Sequence, residues 1–348
     1  MIRCAVIGCG RAATEFHLPA LLAMPEVSVV AICDSDEERL RRLASRVSYP
    51  ARQYRSIEDL LKAEKELSFV TIATPGFTHS EVATPVLTAG VPALIEKPLA
   101  LSLAEGRALA ALAKERRVQA TAIHNYRYLD AAQQARRALD EGLLGEVYQV
   151  TMVYHGESLF QEDSEWMWKE REHRVLLYEY GTHFLDLAVW FAGPVAAVRG
   201  VRSHWDKHLR CTTRIYALLE HAGGATSVVD LQLFSSSNFT QVEVYGTAND
   251  ALLRFFPDSC RVYSGHVSSV DEFAEGLKRL ARGARTLLSD QVGRQAVPSR
   301  AKGHLRLFQQ FVRSLQDPSV PTPVPLEEAL VTLEAQELLS KSVYGESA

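Results

Sequence analysis

Cysteine is scarce and unpatterned in this sequence. Cys4, Cys9, Cys33, Cys211 and Cys260 are five in 348 residues, and no two form a CxxC pair. An odd, scattered set excludes a disulfide framework and the paired-thiolate zinc motifs, so no metal is expected and a reducing cytoplasm is the expected setting. Long apolar runs are missing as well. No stretch approaches the roughly 18 consecutive apolar residues of a membrane span, so no membrane partner is expected. The first residues, MIRCAVIG, lack the charged, apolar and cleavage segments of a secretory leader. Nor is there a surplus of positive charge: 38 Lys and Arg stand against 42 Asp and Glu, a net −4. Nucleic-acid binders usually carry a basic face, so that partner class is not expected. A small anionic ligand stays compatible, because a site is local.

What is present is an ordinary globular composition, 47% apolar and 23% charged, in a chain long enough for two cores. The first third alternates short apolar runs with amphipathic stretches. Strands are expected at Arg3–Ile7, Val27–Cys33, Phe69–Ala73, Ala93–Ile95 and Gln119–Ile123. Helices are expected at Arg11–Met24, Ser35–Arg46, 79–89 and 101–116. Near-continuous apolar strands divided by helices indicate a parallel sheet covered on both faces, the doubly wound nucleotide-binding pattern. After about residue 145 the period changes to two, at 145–154, 196–203, 212–220, 225–234 and 239–246, with one helix near 181–192. This predicts an α+β second unit with a large open, mostly antiparallel sheet. Such a face commonly needs a partner, so a homo-oligomer, dimer or tetramer, is expected. The expected division is 1–123 for nucleotide binding, 124–322 for substrate binding and assembly, and 323–348 for a closing helix. Residues 271–289 read as a basic amphipathic helix, solvated and packed on one apolar side; the alternative, a membrane-surface helix, lacks aromatic anchors.

Gly8-Cys9-Gly10-Arg11-Ala12-Ala13 matches GxGxxG/A and follows a strand and opens a helix, the context that gives the motif meaning. Gly8 allows the tight turn, Gly10 lets backbone approach a pyrophosphate, and Ala13 permits close packing of helix on strand. Asp34 ends the second strand, 24 positions past Gly10. That is near the spacing of a ribose-binding carboxylate, which would repel a 2′-phosphate; the bland alternative is a helix cap. NAD is therefore expected ahead of NADP.

With that motif, Ala73-Thr74-Pro75 with His79, Glu96-Lys97-Pro98, Asn125-Tyr126-Arg127-Tyr128 and Gly181-Thr182-His183-x-x-Asp186 together make the chain resemble the glucose–fructose oxidoreductase and inositol dehydrogenase (Gfo/Idh/MocA) family. The motifs run from residue 6 to 186, and the closing helices also look similar. The resemblance implies a Rossmann domain followed by an α/β domain whose open sheet mediates assembly. It also implies hydride transfer between NAD(P) and a hydroxyl or ketone carbon of a sugar or cyclitol. Lys97 would act at the reacting oxygen, often across a cis Lys-Pro bond, and His183 would transfer the proton. The implied cofactor set is Gly8, Gly10, Arg11, Ala12, Asp34, Thr74, Pro75, His79, Glu96, Lys97 and Asn125.

Taken as residues, a lysine at a strand end sits where open α/β sheets bind ligands, and its ammonium suits a developing alkoxide. A histidine beside it suits proton transfer near neutral pH, although alone it would read as a core or capping group. Asp186 either orients that imidazole or is structural, the latter favoured. One departure stands out. Many family dehydrogenases carry aspartate four residues before the histidine; here Glu179 holds that place, with Tyr178 and Tyr180 as alternative proton donors. Substrate contacts are expected from Lys97, Arg127, Tyr154, Trp166, Lys169, Glu179 and His183, with His155 beside Tyr154 in the same pocket. Trp166 and Trp168 would stack on a ring, and Lys169, Arg171, His173 and Arg174 would hold an anionic group, unless 158–174 is simply an exposed loop. The expected function is an NAD-dependent oxidoreductase on a sugar, sugar derivative or cyclitol. The alternatives are a redox-neutral enzyme that oxidises its sugar transiently, and a non-catalytic nucleotide-binding sensor or scaffold.

Overall fold

The computed structural model describes residues 1–47, 50–156, 174–236, 238–255, 258–264 and 297–345. The first sheet has six parallel strands in the order β3-β2-β1-β4-β5-β6. They are β1 (Ile2–Ile7), β2 (Val27–Cys33), β3 (Arg52–Tyr54), β4 (Phe69–Ile72), β5 (Ala93–Ile95) and β6 (Ala120–Ala122). β4, β5 and β6 are buried along their whole length, as strands covered on both faces must be. Helices close each crossover: α1 (Leu18–Leu22), α2 (Glu37–Ala44), α3 (Ile57–Ala63), α4 (His79–Thr88) and α5 (Leu103–Arg116). Local chemistry sets their ends. Asp36 caps α2 by accepting from the Glu38 and Arg39 N–H groups, and Ser102 with Glu105 forms a capping box on α5. The expected Arg11–Met24 helix begins as a π-helical turn, Ala13–His17, before α1.

A second sheet of seven strands follows, in the order β13-β12-β11-β7-β10-β9-β8. Its members are β7 (Val147–His155), β8 (Val195–Asp206), β9 (Cys211–His221), β10 (Thr226–Gln232), β11 (Phe239–Gly246), β12 (Asn249–Arg254) and β13 (Ser259–Ser264). β7 and β10 run parallel and the other pairings are antiparallel. Val150, Met152, Tyr154, Val229, Leu231, Val242 and Val244 line its inner face, on which α7 (Thr182–Ala192) packs. α6 (Asp130–Asp140) precedes this sheet.

Two closing helices tie the sheets together. α8 (Lys302–Gln316) buries Leu307, Phe308 and Phe311 in the core of the first sheet. α9 (Leu326–Tyr344) packs against α5 on one side and α7 and β8 on the other. Just before it, the Ala122 N–H donates to Val324 O, and the Thr121 hydroxyl donates to Pro323 O. Five elements in the described residues had no expectation: β3, α3, α6, β12 and β13. The expected helix at 271–289 lies outside the described residues. Among the described residues, no helix is long and apolar enough to cross a membrane.

Candidate active site

The strand order reverses between β1 and β4, which opens a crevice beyond their C-terminal ends. The glycine turn crosses it. Gly8 has φ +88°, and a Cβ there would lie 2.7 Å from the Ala73 carbonyl carbon, so only glycine meets both demands. Its N–H donates to Cys33 O at 2.8 Å, tying the turn to the end of β2. Gly10 is different: a Cβ there would meet nothing within 4 Å among the described residues, so this backbone faces open space among them. The Cys9 N–H donates to Asp34 Oδ2 at 2.7 Å and the Asp36 N–H to Oδ1 at 2.9 Å. Each oxygen keeps a further acceptor position for a diol. The Thr74 hydroxyl is buried, has no hydrogen-bond partner among the described residues, and its residue lies against Gly8. Open backbone, a spare carboxylate acceptor and an orphaned hydroxyl fit a dinucleotide laid across this turn.

β5 delivers the lysine. Lys97–Pro98 is a cis peptide, and the Lys97 ammonium donates to Glu179 Oε2 at 2.6 Å and to Glu179 O at 3.0 Å. Both side chains are 14% exposed, so this is a screened but reachable pair. Glu179 lies in a π-helical turn, Leu176–Gly181, that runs directly into α7 and His183. Gly181 seats this turn on the sheet, since a Cβ there would lie 3.0 Å from Leu231 Cδ1. His183 is half-buried and stacks on Tyr126 with ring centroids 4.2 Å apart. Its Nδ1 is buried without a hydrogen-bond partner among the described residues. Burial first, then the nearby Lys97 cation, hold its pKa well below the ordinary imidazole value, so the ring is neutral at neutral pH. Tyr154 reaches the same region from β7 and stacks on Tyr180 at 5.1 Å. Burial raises both phenols and pushes Tyr126 up to about 12, which leaves all three as protonated donors.

Several expected contacts point elsewhere. The Arg127 guanidinium, expected in the substrate pocket, is spent in the interior: it donates to Asp186 at 2.7 and 2.8 Å and pairs with Glu328. Asp186 is thereby structural, as favoured. His79 is fully buried, with its ring nitrogens 2.7 Å from Pro98 O and 2.9 Å from Thr74 O, so it joins two loops behind the crevice. Glu96 and Asn125 are also buried. His155 does not share a pocket with Tyr154. Neighbours on a strand face opposite sides, and His155 pairs with Asp230 on the outer face of the sheet at 3.2 Å. Trp166 and Lys169, with the rest of 157–173, lie outside the described residues.

Two histidines had no expectation. Nε2 of His17 and Nε2 of His304 lie 2.9 and 3.0 Å from the same oxygen, Glu96 Oε1, and the three side chains are buried. Their donor atoms are close enough together to hold a metal ion. A hydrogen-bond assignment also accounts for every atom: the carboxylate only accepts, so each Nε2 carries its proton. Each Nδ1 then accepts, from Thr71 Oγ1 at 2.8 Å and from Asn125 Nδ2 at 3.4 Å. His17 sits between Phe16 and Leu18, 79 positions from Glu96. His304 is 208 positions from Glu96, so no local pattern joins them.

Fold and crevice together define a Rossmann-type nucleotide-binding oxidoreductase architecture with a second, sheet-bearing domain. Residues 2–124 match the family model described as oxidoreductase family, NAD-binding Rossmann fold, and residues 132–251 match the GFO/IDH/MocA C-terminal domain. The chain belongs to the Gfo/Idh/MocA oxidoreductase family. A D-apiose dehydrogenase of Paraburkholderia graminis is 34% identical over 226 residues, which are 65% of this chain and 59% of that protein. The chain spans between about half and two thirds of the length of the first curated relatives, 52 to 64%. Among solved structures, the WlbA dehydrogenase from Bordetella pertussis, in complex with NADH and UDP-GlcNAcA, superposes with a TM-score of 0.79. It has 19% identity, over 98% of this chain and 95% of that one. An oxidoreductase from Agrobacterium radiobacter, in complex with NAD+, L-tartaric acid and magnesium, gives a TM-score of 0.77 at 20% identity, covering 99% and 97%. At these identities the likeness is one of fold.

Proposed function

We propose that the chain is an NAD-dependent oxidoreductase that passes hydride between nicotinamide and a hydroxyl or ketone carbon of a sugar, sugar derivative or cyclitol. The observation that carries this is the Lys97–Glu179 pair, 2.6 Å apart at the switch-point crevice and one helical turn from a neutral His183. Gly8, Gly10, Asp34 and Thr74 would hold the dinucleotide, and NAD when bound supplies the hydride acceptor. Lys97 hydrogen-bonds the reacting oxygen and stabilises the alkoxide charge as it develops. Neutral His183 takes the hydroxyl proton in oxidation, and its protonated form returns it in reduction. Glu179 lends its carboxylate to a neighbouring hydroxyl and so orients the ring. The hydroxyl-rich compounds in the names of the relatives, D-apiose and a UDP-sugar, support that substrate class.

Asp34 supports NAD over NADP, because its charge opposes a 2′-phosphate. The free cysteines support a reducing, cytoplasmic setting. Tyr216 and Leu218, 54% and 40% exposed on β9, support a homo-oligomer built on the outer face of the second sheet.

Calorimetry with NAD, NADH, NADP and NADPH, after a check for co-purified nucleotide, tests the cofactor; a screen of sugars and cyclitols for nicotinamide reduction then tests the reaction. Selective NAD(H) binding, with turnover lost in Lys97→Ala while NAD still binds, is the expected result. Full turnover in Lys97→Ala removes the role given to that lysine, and binding of none of the four nucleotides removes the whole reading.

A further inference from the structure

We propose that His304, together with His17, positions Lys97: the two imidazoles clamp the Glu96 carboxylate, and that carboxylate holds the Lys97 backbone from which the ammonium is presented. The proposal rests on Lys97 acting at the reacting oxygen.

Glu96 Oε1 receives both imidazole N–H groups, at 2.9 and 3.0 Å, and Oε2 receives the Lys97 backbone N–H at 2.9 Å. One carboxylate thus links the π-helical turn Ala13–His17, the end of β5 and α8. The rings themselves are fixed. Phe16 stacks on His304 with centroids 5.1 Å apart and planes 6° from parallel. Phe308 meets His17 edge-on at 5.4 Å. α8 reaches this depth because its second residue is Gly303; a Cβ there would collide with the Asn125 carbonyl. Burial opposes ionisation of Glu96, but the two imidazole hydrogen bonds reverse the balance and hold its pKa well below the ordinary value. The clamp therefore keeps an anion behind the lysine's backbone. On the other side, His79 reaches Pro98 O at 2.7 Å, so the Lys97–Pro98 pair is held front and back. A general property of such sites gives this weight: a reacting group displaced by about 1 Å can lose about a hundredfold in rate.

The test compares wild type with His304→Leu, which keeps bulk and removes the N–H, and with His304→Gln, which returns a donor near Nε2. Hydrogen exchange at the Lys97 amide is read first, on protein without substrate, with NADH affinity beside it. The expected result is exchange at Lys97 about tenfold faster in His304→Leu, with NADH affinity unchanged. kcat should fall about tenfold or more with little change in KM, on the sugar or cyclitol found by screening. His304→Gln should restore both. Wild-type exchange in His304→Leu, or failure of Gln to restore what Leu loses, overturns the proposal. If Lys97→Ala keeps full turnover while exchange responds as expected, it is the role of Lys97 that fails, not the clamp. If His304→Leu does not fold, nitrogen NMR of the wild-type imidazoles decides: protonated Nε2 with bare Nδ1 at His17 and His304 is expected, and an Nδ1–H tautomer at His304 overturns it.

Discussion

Arg127 and Asp186 meet in two parallel hydrogen bonds, Nε to Oδ2 at 2.8 Å and Nη2 to Oδ1 at 2.7 Å, with side chains only 4% and 1% exposed. Arg127 adjoins Tyr126, on which His183 stacks, and Asp186 lies one turn beyond His183 on α7. Thr332 of α9 donates to Asp186 Oδ1 at 3.0 Å, so three separate segments meet at Asp186, one turn from His183. Asp186 and Glu328 together engage the Arg127 guanidinium in the protein interior.

Removing Asp186 leaves the buried Arg127 guanidinium with Glu328, itself 46% exposed, as its remaining ion-pair partner among the described residues. Asp186→Ala is expected to lose about 3–5 kcal/mol of stability, read from urea unfolding. The double variant Arg127→Met, Asp186→Leu removes both charges and should recover most of that loss. If Arg127 bound substrate instead, Arg127→Met would raise KM and leave the unfolding midpoint alone.

The two glycines of the turn should separate folding from binding. Gly8→Ala places a Cβ 2.7 Å from Ala73 backbone at φ +88°, so it should lower the melting temperature and abolish nucleotide binding together. Gly10→Ala adds a Cβ that meets nothing within 4 Å among the described residues. Its melting temperature should stay near wild type while NAD affinity drops about tenfold or more, because the new side chain occupies the space facing the turn. Equal losses of stability in both variants would show that Gly10 serves only the fold.

Asp34 carries two roles that one measurement must pull apart. It accepts from the Cys9 N–H at 2.7 Å, so Asp34→Ala loosens the turn and weakens every dinucleotide. As the ribose-binding carboxylate of the proposed function, it would also repel a 2′-phosphate. The ratio of NADP to NAD affinity isolates the second role and should rise about tenfold in Asp34→Ala, even as both affinities change. An unchanged ratio would leave the carboxylate as a turn brace.

How much of this was legible follows from range. β1, β2 and β4 were readable because burial on both faces demands unbroken apolar runs. β3, three residues reading Arg-Gln-Tyr on an exposed edge, carries no such signature. β12 and β13, six residues each, lie toward the far edge of the second sheet. The placement of Gly8, Asp34 and Lys97 at the crevice was legible because each follows a strand end, which is a local feature. Arg127 could not, since its partners lie 59 and 201 positions away and nothing local distinguishes a buried guanidinium from a substrate-facing one. The same distance hid the clamp on Glu96. His155 was misplaced for a simpler reason: adjacent residues on a strand face opposite ways, so it cannot share a pocket with Tyr154.

Buried imidazoles set the acid limb of stability. Burial is the leading cause that lowers the pKa of His17, His124 and His183, against opposing pulls from Glu96 on His17 and His183 and from Asp186 on His124. In the unfolded chain these rings take up protons near the ordinary value of about 6.5. Folded, they resist protonation to lower pH. Below about pH 6.5 the unfolded state therefore binds more protons, and stability must rise with pH in that window. Their contribution is complete above the unfolded value and is lost as pH falls through the folded values. Each histidine adds a slope of up to about 1.4 kcal/mol per pH unit. Glu96 has the same sign, but its window opens only below the ordinary carboxylate range, so the histidines govern first. Urea midpoints measured from about pH 8 down to 5 should be level at the alkaline end and fall steadily below about 6.5. A midpoint that stays level to pH 5 would mean that these rings take up protons in the folded protein as readily as in the unfolded chain. His183 would then be protonated below about pH 6.5 and could act as the base in hydroxyl oxidation only above it, since a protonated imidazole has no lone pair to take the substrate's proton.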